Sequence, residues 1–264
     1  MTALGEHDHA RRSYDAFAPF YDAFTAHHDY PAWTATLERL ARAAGLDGRR
    51  MLDVACGTGK SFIPFLQRGF DVIACDVSAE MLAIAADKAG DRVRLERHDM
   101  RRLPVLGSFE LVTCLDDAVN YLASGAELEA ALGGIRRNLA PGGVVVFDAN
   151  TLSTYRGFFA SLSVLPAEDL VLVWRGEASA QAQPGAFARA TVEALVRGDD
   201  GAWRSETHTH LQRHHPEPVV RDAAGAAGLG VAGHYGMTID GAIHDEFSEA
   251  EHSKALYVLV AAER

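Results

Sequence analysis

Residues 51–65 limit what this chain can fold into more than any other stretch, because an apolar run, a glycine-bent turn and a helix start follow one another without a spacer. Met51, Leu52, Asp53 and Val54 read as the end of a buried strand, Ala55, Cys56, Gly57, Thr58 and Gly59 as the turn, and residues 61–66 as the helix start. A second apolar run, 70–75, ends in Asp76 and leads to Ser78, a residue type that caps helices. The two units together make a nucleoside-binding arrangement. Glycines let backbone approach a ligand at a helix N-terminus, and an acidic residue ending the next strand accepts both ribose hydroxyls.

A dinucleotide loop is the competing reading. It requires three glycines spaced so that a helix N-terminus holds pyrophosphate, whereas only Gly57 and Gly59 are present and Asp53 stands at the mouth of the turn. A carboxylate there repels pyrophosphate and suits a cationic amino group. A nucleoside carrying an amino acid meets both conditions, and S-adenosyl-L-methionine, with its ribose, adenine, sulfonium and methionine tail, is such a ligand.

Two helices, over 9–25 and 30–44 and closed by Gly45, are expected before the first strand. Strands and helices then alternate: a helix at 79–89, a third strand at 93–96, a fourth at 109–114, a helix at 127–139 and a fifth strand at 144–149. This order predicts an α/β fold, a parallel sheet with helices on both faces and a ligand at the strands' carboxyl ends. After Asn150 three alternating segments, 170–178, 186–196 and 203–214, are split by Pro184 with Gly185 and by Asp199, Asp200 and Gly201. They predict an inserted antiparallel β flap forming one wall of the acceptor pocket. A helix at 218–227 and strands at 230–237 and 255–262 then complete the core as an antiparallel pair. The expected division is an N-terminal helical lid over 1–48, a nucleoside-binding core over 49–165 and 215–264, and the flap over 166–214. A chain of 264 residues with 48% hydrophobic content suits one domain with an insertion.

Composition bears on partners. The net charge is −11, and the arginine pairs Arg11 with Arg12, Arg101 with Arg102 and Arg136 with Arg137 are too short for a phosphate track. A small-molecule acceptor is therefore expected ahead of nucleic acid. Cys56, Cys75 and Cys114 fall at or beside strand ends and suit reduced, buried thiols. His7, Asp8, Arg11 and Arg12 leave no apolar leader, and no strand is long enough to cross a bilayer. A cytoplasmic monomer or homodimer without a membrane partner is the expectation.

The chain resembles the class I S-adenosylmethionine-dependent methyltransferases over most of its length. Asp53, Ala55, Gly57 and Gly59 match the family's first motif, with Ala55 where many members carry glycine, and Asp76 matches the acid that binds ribose. His98, Asp99 and Met100 match the segment beside adenine, and Leu115, Asp116 and Asp117 the end of the fourth strand near the methionine part. Leu139, Ala140, Pro141, Gly142 and Gly143 match the turn before strand five. The resemblance implies a Rossmann-like seven-stranded sheet and a donor site that also draws on Cys56, Val77 and Met81. In related methyltransferases an N-terminal Tyr and a nearby Trp close over the donor, which implies Tyr21 and Trp33 as lid residues here. Phe17, Phe20 and Phe24 read instead as an aromatic helix face buried on the sheet. A narrower resemblance rests on residues 115–122, on Tyr30, Pro31, Ala32 and Trp33, and on Thr207, His208, Gln212 and Arg213. It points to a bacterial subgroup that includes tRNA 5-hydroxyuridine methyltransferases and relatives acting on amino sugars or other small metabolites.

Methyl transfer is an in-line displacement, so the protein must align acceptor and methyl in a dry pocket. An oxygen acceptor also needs a base, whereas a free amine needs no strong one. Period-two spacing puts Glu206, His208, His210, Gln212 and His214 on one face of the third flap strand. Turned inward, that face offers His208 or His210 as the base; turned outward, it is a solvated edge. Asp117, Asn120, Tyr121, Asn150 and Tyr155 lie at strand ends and are acceptor-contact candidates, with turn stabilisation the other reading for Asp148 and Asn150. His208, His210, His214 and His215 also raise a metal, but no carboxylate or cysteine stands at a metal spacing and none is expected. The function so implied is transfer of a methyl group to oxygen or nitrogen of a small molecule. Methylation of a tRNA wobble uridine oxygen and non-catalytic donor sensing are the alternatives.

Overall fold

Ser78, Asp29 and Ser124 set where helices begin, and the apolar runs between them fall into strands. The computed structural model describes residues 3–262, with side chains from residue 10 onward, so residues 1, 2, 263 and 264 of the expected lid and core lie outside the described residues. Helices α1 (Ala3–Phe24) and α2 (Tyr30–Ala43) come first, and Asp29 caps α2 by accepting from the Ala32 amide at 3.0 Å. Next are β1 (Arg50–Val54), α3 (Ile63–Gln67), β2 (Asp71–Asp76), α4 (Ala79–Ala89), β3 (Arg94–Arg97), β4 (Phe109–Cys114), α5 (Gly125–Asn138) and β5 (Leu139–Asn150). Ser78 caps α4 through the Met81 amide at 3.1 Å. Ser124 caps α5 through the Glu127 amide at 3.2 Å, and the Glu127 carboxylate reaches back to the Ala123 amide at 2.7 Å.

Helix α6 (Leu152–Arg156) leads into β6 (Leu162–Pro166), β7 (Leu170–Gly176), β8 (Phe187–Arg197) and β9 (Trp203–Arg213), a separate antiparallel sheet in that spatial order. Helix α7 (Glu217–Ala226) returns the chain to β10 (Leu229–Met237), β11 (Ile243–His244) and β12 (Lys254–Ala261). The main sheet runs β11-β10-β12-β5-β4-β1-β2-β3, parallel from β5 to β3, with β12 antiparallel to both β5 and β10. Its middle strands are buried on both faces. Helices α5 and α7 cover one face through Leu128, Leu132 and Val220, and α2, α3 and α4 cover the other through Leu37, Phe65 and Ala85.

Four features differ from the sequence expectation. The main sheet has eight strands rather than seven, because the two-residue β11 is too short to leave a pattern. The flap has four strands rather than three and begins at Leu162: β6 exposes Leu162 and Val164 and ends in Pro166, which hides its strand character. Residues 139–143 are part of β5 rather than a turn before it. Leu139 already pairs with Phe109, and the chain then bulges through Gly142, at φ 71°, before Val144 pairs with Leu111. The aromatic face of α1 is buried, but against the flap rather than the main sheet; Phe24 stacks on Trp174 at 5.7 Å and Phe17 lies 5.6 Å from His208. All three cysteines are free and buried.

Side-chain amides hold the flap to the core. Fully buried Asn120 donates to the Arg213 carbonyl at 2.9 Å and to the Tyr155 hydroxyl at 3.3 Å, and its carbonyl accepts from the Asn150 amide at 2.8 Å. Asn150 in turn donates to Gln212 Oε1 at 2.9 Å. Asn120→Ala leaves backbone groups of both Asn150 and Arg213 without these partners in a dry seam. Urea unfolding is expected to show a loss of about 2–4 kcal/mol, and a change below about 0.5 kcal/mol would remove this residue from the account of flap docking.

Candidate functional site

The carboxyl ends of β1, β2 and β4 converge on one cavity. Past β1 the backbone turns through three left-handed residues, Ala55, Gly57 and Gly59, at φ 58°, 53° and 85°. Space explains one of them. A Cβ on Gly59 would stand 2.8 Å from Phe62, whereas one on Gly57 would meet only the Tyr21 ring, at 3.9 Å, so the backbone there is open to a ligand. Ala55 takes the same backbone region at a cost of about 1–2 kcal/mol, the penalty that glycine at this position avoids.

Asp76 ends β2 with both oxygens engaged by backbone: Oδ2 accepts from the Gly57 amide at 2.9 Å and Oδ1 from the Ser78 amide at 2.8 Å. Burial raises its pKa, and those amides oppose the rise. Val77, Met81 and Met100 give the cavity apolar walls next to it, with Cys56 and Leu115 beyond. Asp99 opens on an adjoining recess shared with Met100 and Tyr121. Burial alone would raise the Asp99 pKa, but hydrogen bonds from Arg101 carry it below its usual range.

Asp53 does not line the cavity. Its Oδ2 accepts from Ser61 at 2.6 Å and its Oδ1 from Thr113 at 2.5 Å, and burial pushes its pKa up to about 7 against those two bonds. The carboxylate that faces the cavity near the turn is Asp116, whose Oδ2 accepts from the hydroxyls of Tyr30 at 2.6 Å and Tyr21 at 3.4 Å. Tyr21 lines the cavity. Trp33 does not: α2 packs on the sheet so that Trp33 joins Leu37 and Leu40 in the core.

On the acceptor side the structure separates the sequence candidates. Tyr14 and Tyr121 line the cavity, and the Tyr121 hydroxyl meets His210 Nδ1 at 3.0 Å. The polar face of β9 points inward from His208 onward, while Glu206 is solvated. His208 is buried among Phe17 and Phe20 and does not reach the cavity. His214 bonds Glu249 at 2.9 Å, and His215 bonds the Leu122 carbonyl at 3.0 Å. Asn120, Asn150 and Tyr155 belong to the flap seam, and Asp117 is held by Lys254 at 2.8 Å and by Gln212 at 2.5 Å. Among the described residues no three His, Cys, Asp or Glu side chains are grouped to hold a metal, and no helix is long and apolar enough to cross a membrane.

Sequence reasoning did not single out Lys60, which lines the cavity and bonds the Thr25 carbonyl at 2.9 Å, or Lys254. Lys60 follows Gly59 directly, so its place beside the turn was a local signal. Nothing local marks Lys254, which lies 137 residues from Asp117.

The cavity fits an adenosyl ligand with an amino acid tail: a strand-end carboxylate for ribose, thioether and isopropyl groups for the base, open backbone at Gly57, and a second carboxylate at Asp116. Comparison with known proteins agrees. Residues 51–143 match the methyltransferase domain family. A protein of Geobacillus sp. (strain WCH70) named as a methyltransferase is 30% identical over 210 residues, 76% of this chain and 82% of that one. The dTDP-3-amino-3,6-dideoxy-alpha-D-glucopyranose N,N-dimethyltransferase of Streptomyces fradiae is 34% identical over 212 residues, 77% of this chain and 78% of the other. Among solved structures, a sugar N-methyltransferase from Streptoalloteichus sp. ATCC 53650 superposes with a TM-score of 0.72 at 25% identity, covering 92% of this chain and 93% of that one.

Two measurements check the donor end. Asp76→Ala is expected to weaken S-adenosylhomocysteine binding by on the order of 2 kcal/mol, and unchanged affinity by calorimetry would contradict the ribose placement. Folded Asp53 keeps its proton up to about pH 7, whereas the unfolded carboxyl loses it near pH ~3.9. The contribution to stability is thus full below the lower value and lost as pH rises through the higher one. Relative to Asp53→Asn, the wild type is expected to lose on the order of 2 kcal/mol between pH 5 and pH 8 in denaturant unfolding.

Proposed function

The chain belongs to the class I S-adenosylmethionine-dependent methyltransferases, and we propose that its acceptor is the amino nitrogen of a small molecule, an amino sugar free or linked to a nucleotide. When bound, S-adenosylmethionine supplies a sulfonium-activated methyl group. Asp76 would hold its ribose, Val77, Met81 and Met100 would flank its base, and Tyr21 with Asp116 would enclose its tail. Aromatic and thioether walls keep water from the reacting centre, which strengthens the electrostatics inside.

The observation that carries the amine reading is the Tyr121 hydroxyl on the cavity wall, 3.0 Å from His210 Nδ1. Burial raises the pKa of both Tyr14 and Tyr121, so these groups remain phenols and do not act as strong bases. A wall of neutral hydroxyls orients an amine lone pair without needing to ionise it. The proton released after transfer passes to the Tyr121 oxygen as the hydroxyl proton moves to His210 Nδ1, in the tautomer whose Nδ1 accepts. The Streptomyces fradiae relative is named for a nucleotide-linked amino sugar, which supports this class of acceptor.

The test is methyl transfer to amino sugars and their nucleotide-linked forms, to matched hydroxyl analogues and to total tRNA, read by S-adenosylhomocysteine release and product mass. Amines alone are expected to turn over. Comparable rates on the hydroxyl analogues or on tRNA would overturn the proposal. Tyr121→Phe and His210→Ala are each expected to lower kcat about 10- to 100-fold with donor affinity retained, while His208→Ala leaves kcat within about threefold.

A further inference from the structure

Asp116 and Asp117 lie at φ 60° and 52°, a left-handed conformation that non-glycine residues rarely adopt and that neighbours must stabilise. The Asp117 amide donates to Asp148 Oδ2 at 2.9 Å. Lys254 supplies the charge at this corner. Its Nζ lies 2.8 Å from Asp117 Oδ1, 2.7 Å from Asp148 Oδ2 and 3.8 Å from Asp116 Oδ1. The first two are hydrogen bonds; the third is longer than one. Asp116 Oδ2 takes the Tyr30 and Tyr21 hydroxyls, which are neutral donors, so the cavity-facing carboxylate keeps its charge to offer. Since β1 stands between β2 and β4, Asp76 and Asp116 flank the glycine turn from its two sides, about 10 Å apart by strand spacing. A ligand with ribose at Asp76 therefore extends its tail toward Asp116.

We propose that Lys254 is a positioning residue for donor binding: it clamps Asp117 and Asp148 and thereby aims the Asp116 carboxylate at the ammonium of the donor's amino acid tail. Three carboxylates around one lysine leave the cluster net negative, and a second cation balances it. Burial alone would lower the Lys254 pKa, but Asp117, Asp148 and Asp116 together raise it well above the usual value, so the clamp stays charged throughout the working range. The other groups facing Asp116 are Tyr21 of α1, His28 ahead of α2, Tyr30 of α2, Asp53 of β1 and Lys60 ahead of α3.

The experiment compares two probes by calorimetry: S-adenosylhomocysteine, which carries the amino acid tail, and 5′-methylthioadenosine, which lacks it. Without the clamp the Asp116 carboxylate is no longer held toward the ammonium. Lys254→Met is thus expected to weaken S-adenosylhomocysteine about tenfold, with methylthioadenosine unchanged within about twofold, while Lys254→Arg keeps most of the S-adenosylhomocysteine affinity. Equal losses for both probes, or no loss for S-adenosylhomocysteine, would reduce Lys254 to a packing role and overturn the proposal. If Lys254→Met does not fold, Asp148→Asn decides it: removing one arm of the clamp is expected to weaken S-adenosylhomocysteine and spare methylthioadenosine, and equal losses for both overturn the proposal. No acceptor enters the measurement, so its outcome is separate from that of the amine reading.

Discussion

The bonds from Asp76 to the amides of Gly57 and Ser78 are the interaction on which the nucleoside end depends. One oxygen fixes the turn after β1 and the other fixes the start of α4, so a single carboxylate sets two crossover connections against each other. It can do so because β1 and β2 pair in parallel register, with Val54 opposite Cys75, which brings the two strand ends level. Burying a carboxylate is costly, and backbone amides at this separation offset much of that cost. Each oxygen still has acceptor capacity beyond the one amide it holds. The carboxylate that shapes the site is thereby able to bind within it.

The flap solves a different problem. A polar strand face turned inward is unfavourable where its groups are unpaired, and the seam with Asn120 and Asn150 pairs Gln212 and the Arg213 carbonyl. Because those bonds are directional, β9 docks in one register, which is what sets His210 against the Tyr121 hydroxyl. Helix α1 closes the same space from the other side. Its phenylalanines pack on the flap while Tyr14 and Tyr21 of the same helix turn to the cavity, so one element serves as both core and wall.

Much of this was legible in the residues. The glycine turn, Asp76 and the Ser78 cap are local signals, each decided by backbone sterics or by a side chain reaching its own neighbours. Met100, Leu115 and Asp116 lie where their strand ends place them. Trp33 shows the limit of such reading. It shares an N-terminal aromatic segment with Tyr21, and only the packing of α2 on the sheet shows that it faces the core. Asn120, Asn150 and Tyr155 sit at strand ends as an acceptor site requires, yet the docked flap takes up their hydrogen-bonding groups. Strands β6 and β11 were hidden because one exposes its apolar residues and the other is only two residues long.

By itself the sequence determined the order of strands and helices, the left-handed turn at Gly57 and Gly59, and a carboxylate at the end of β2. Those features follow from hydrophobic period and from torsional preference, which act over a few residues. Tertiary structure alone decided which charges meet. Lys254 reaches Asp117 across 137 residues and His210 reaches Tyr121 across 89, once β12 runs back along β5 and the flap has docked. Coulomb attraction and hydrogen bonding depend on distance through space, and no spacing along the chain encodes that distance.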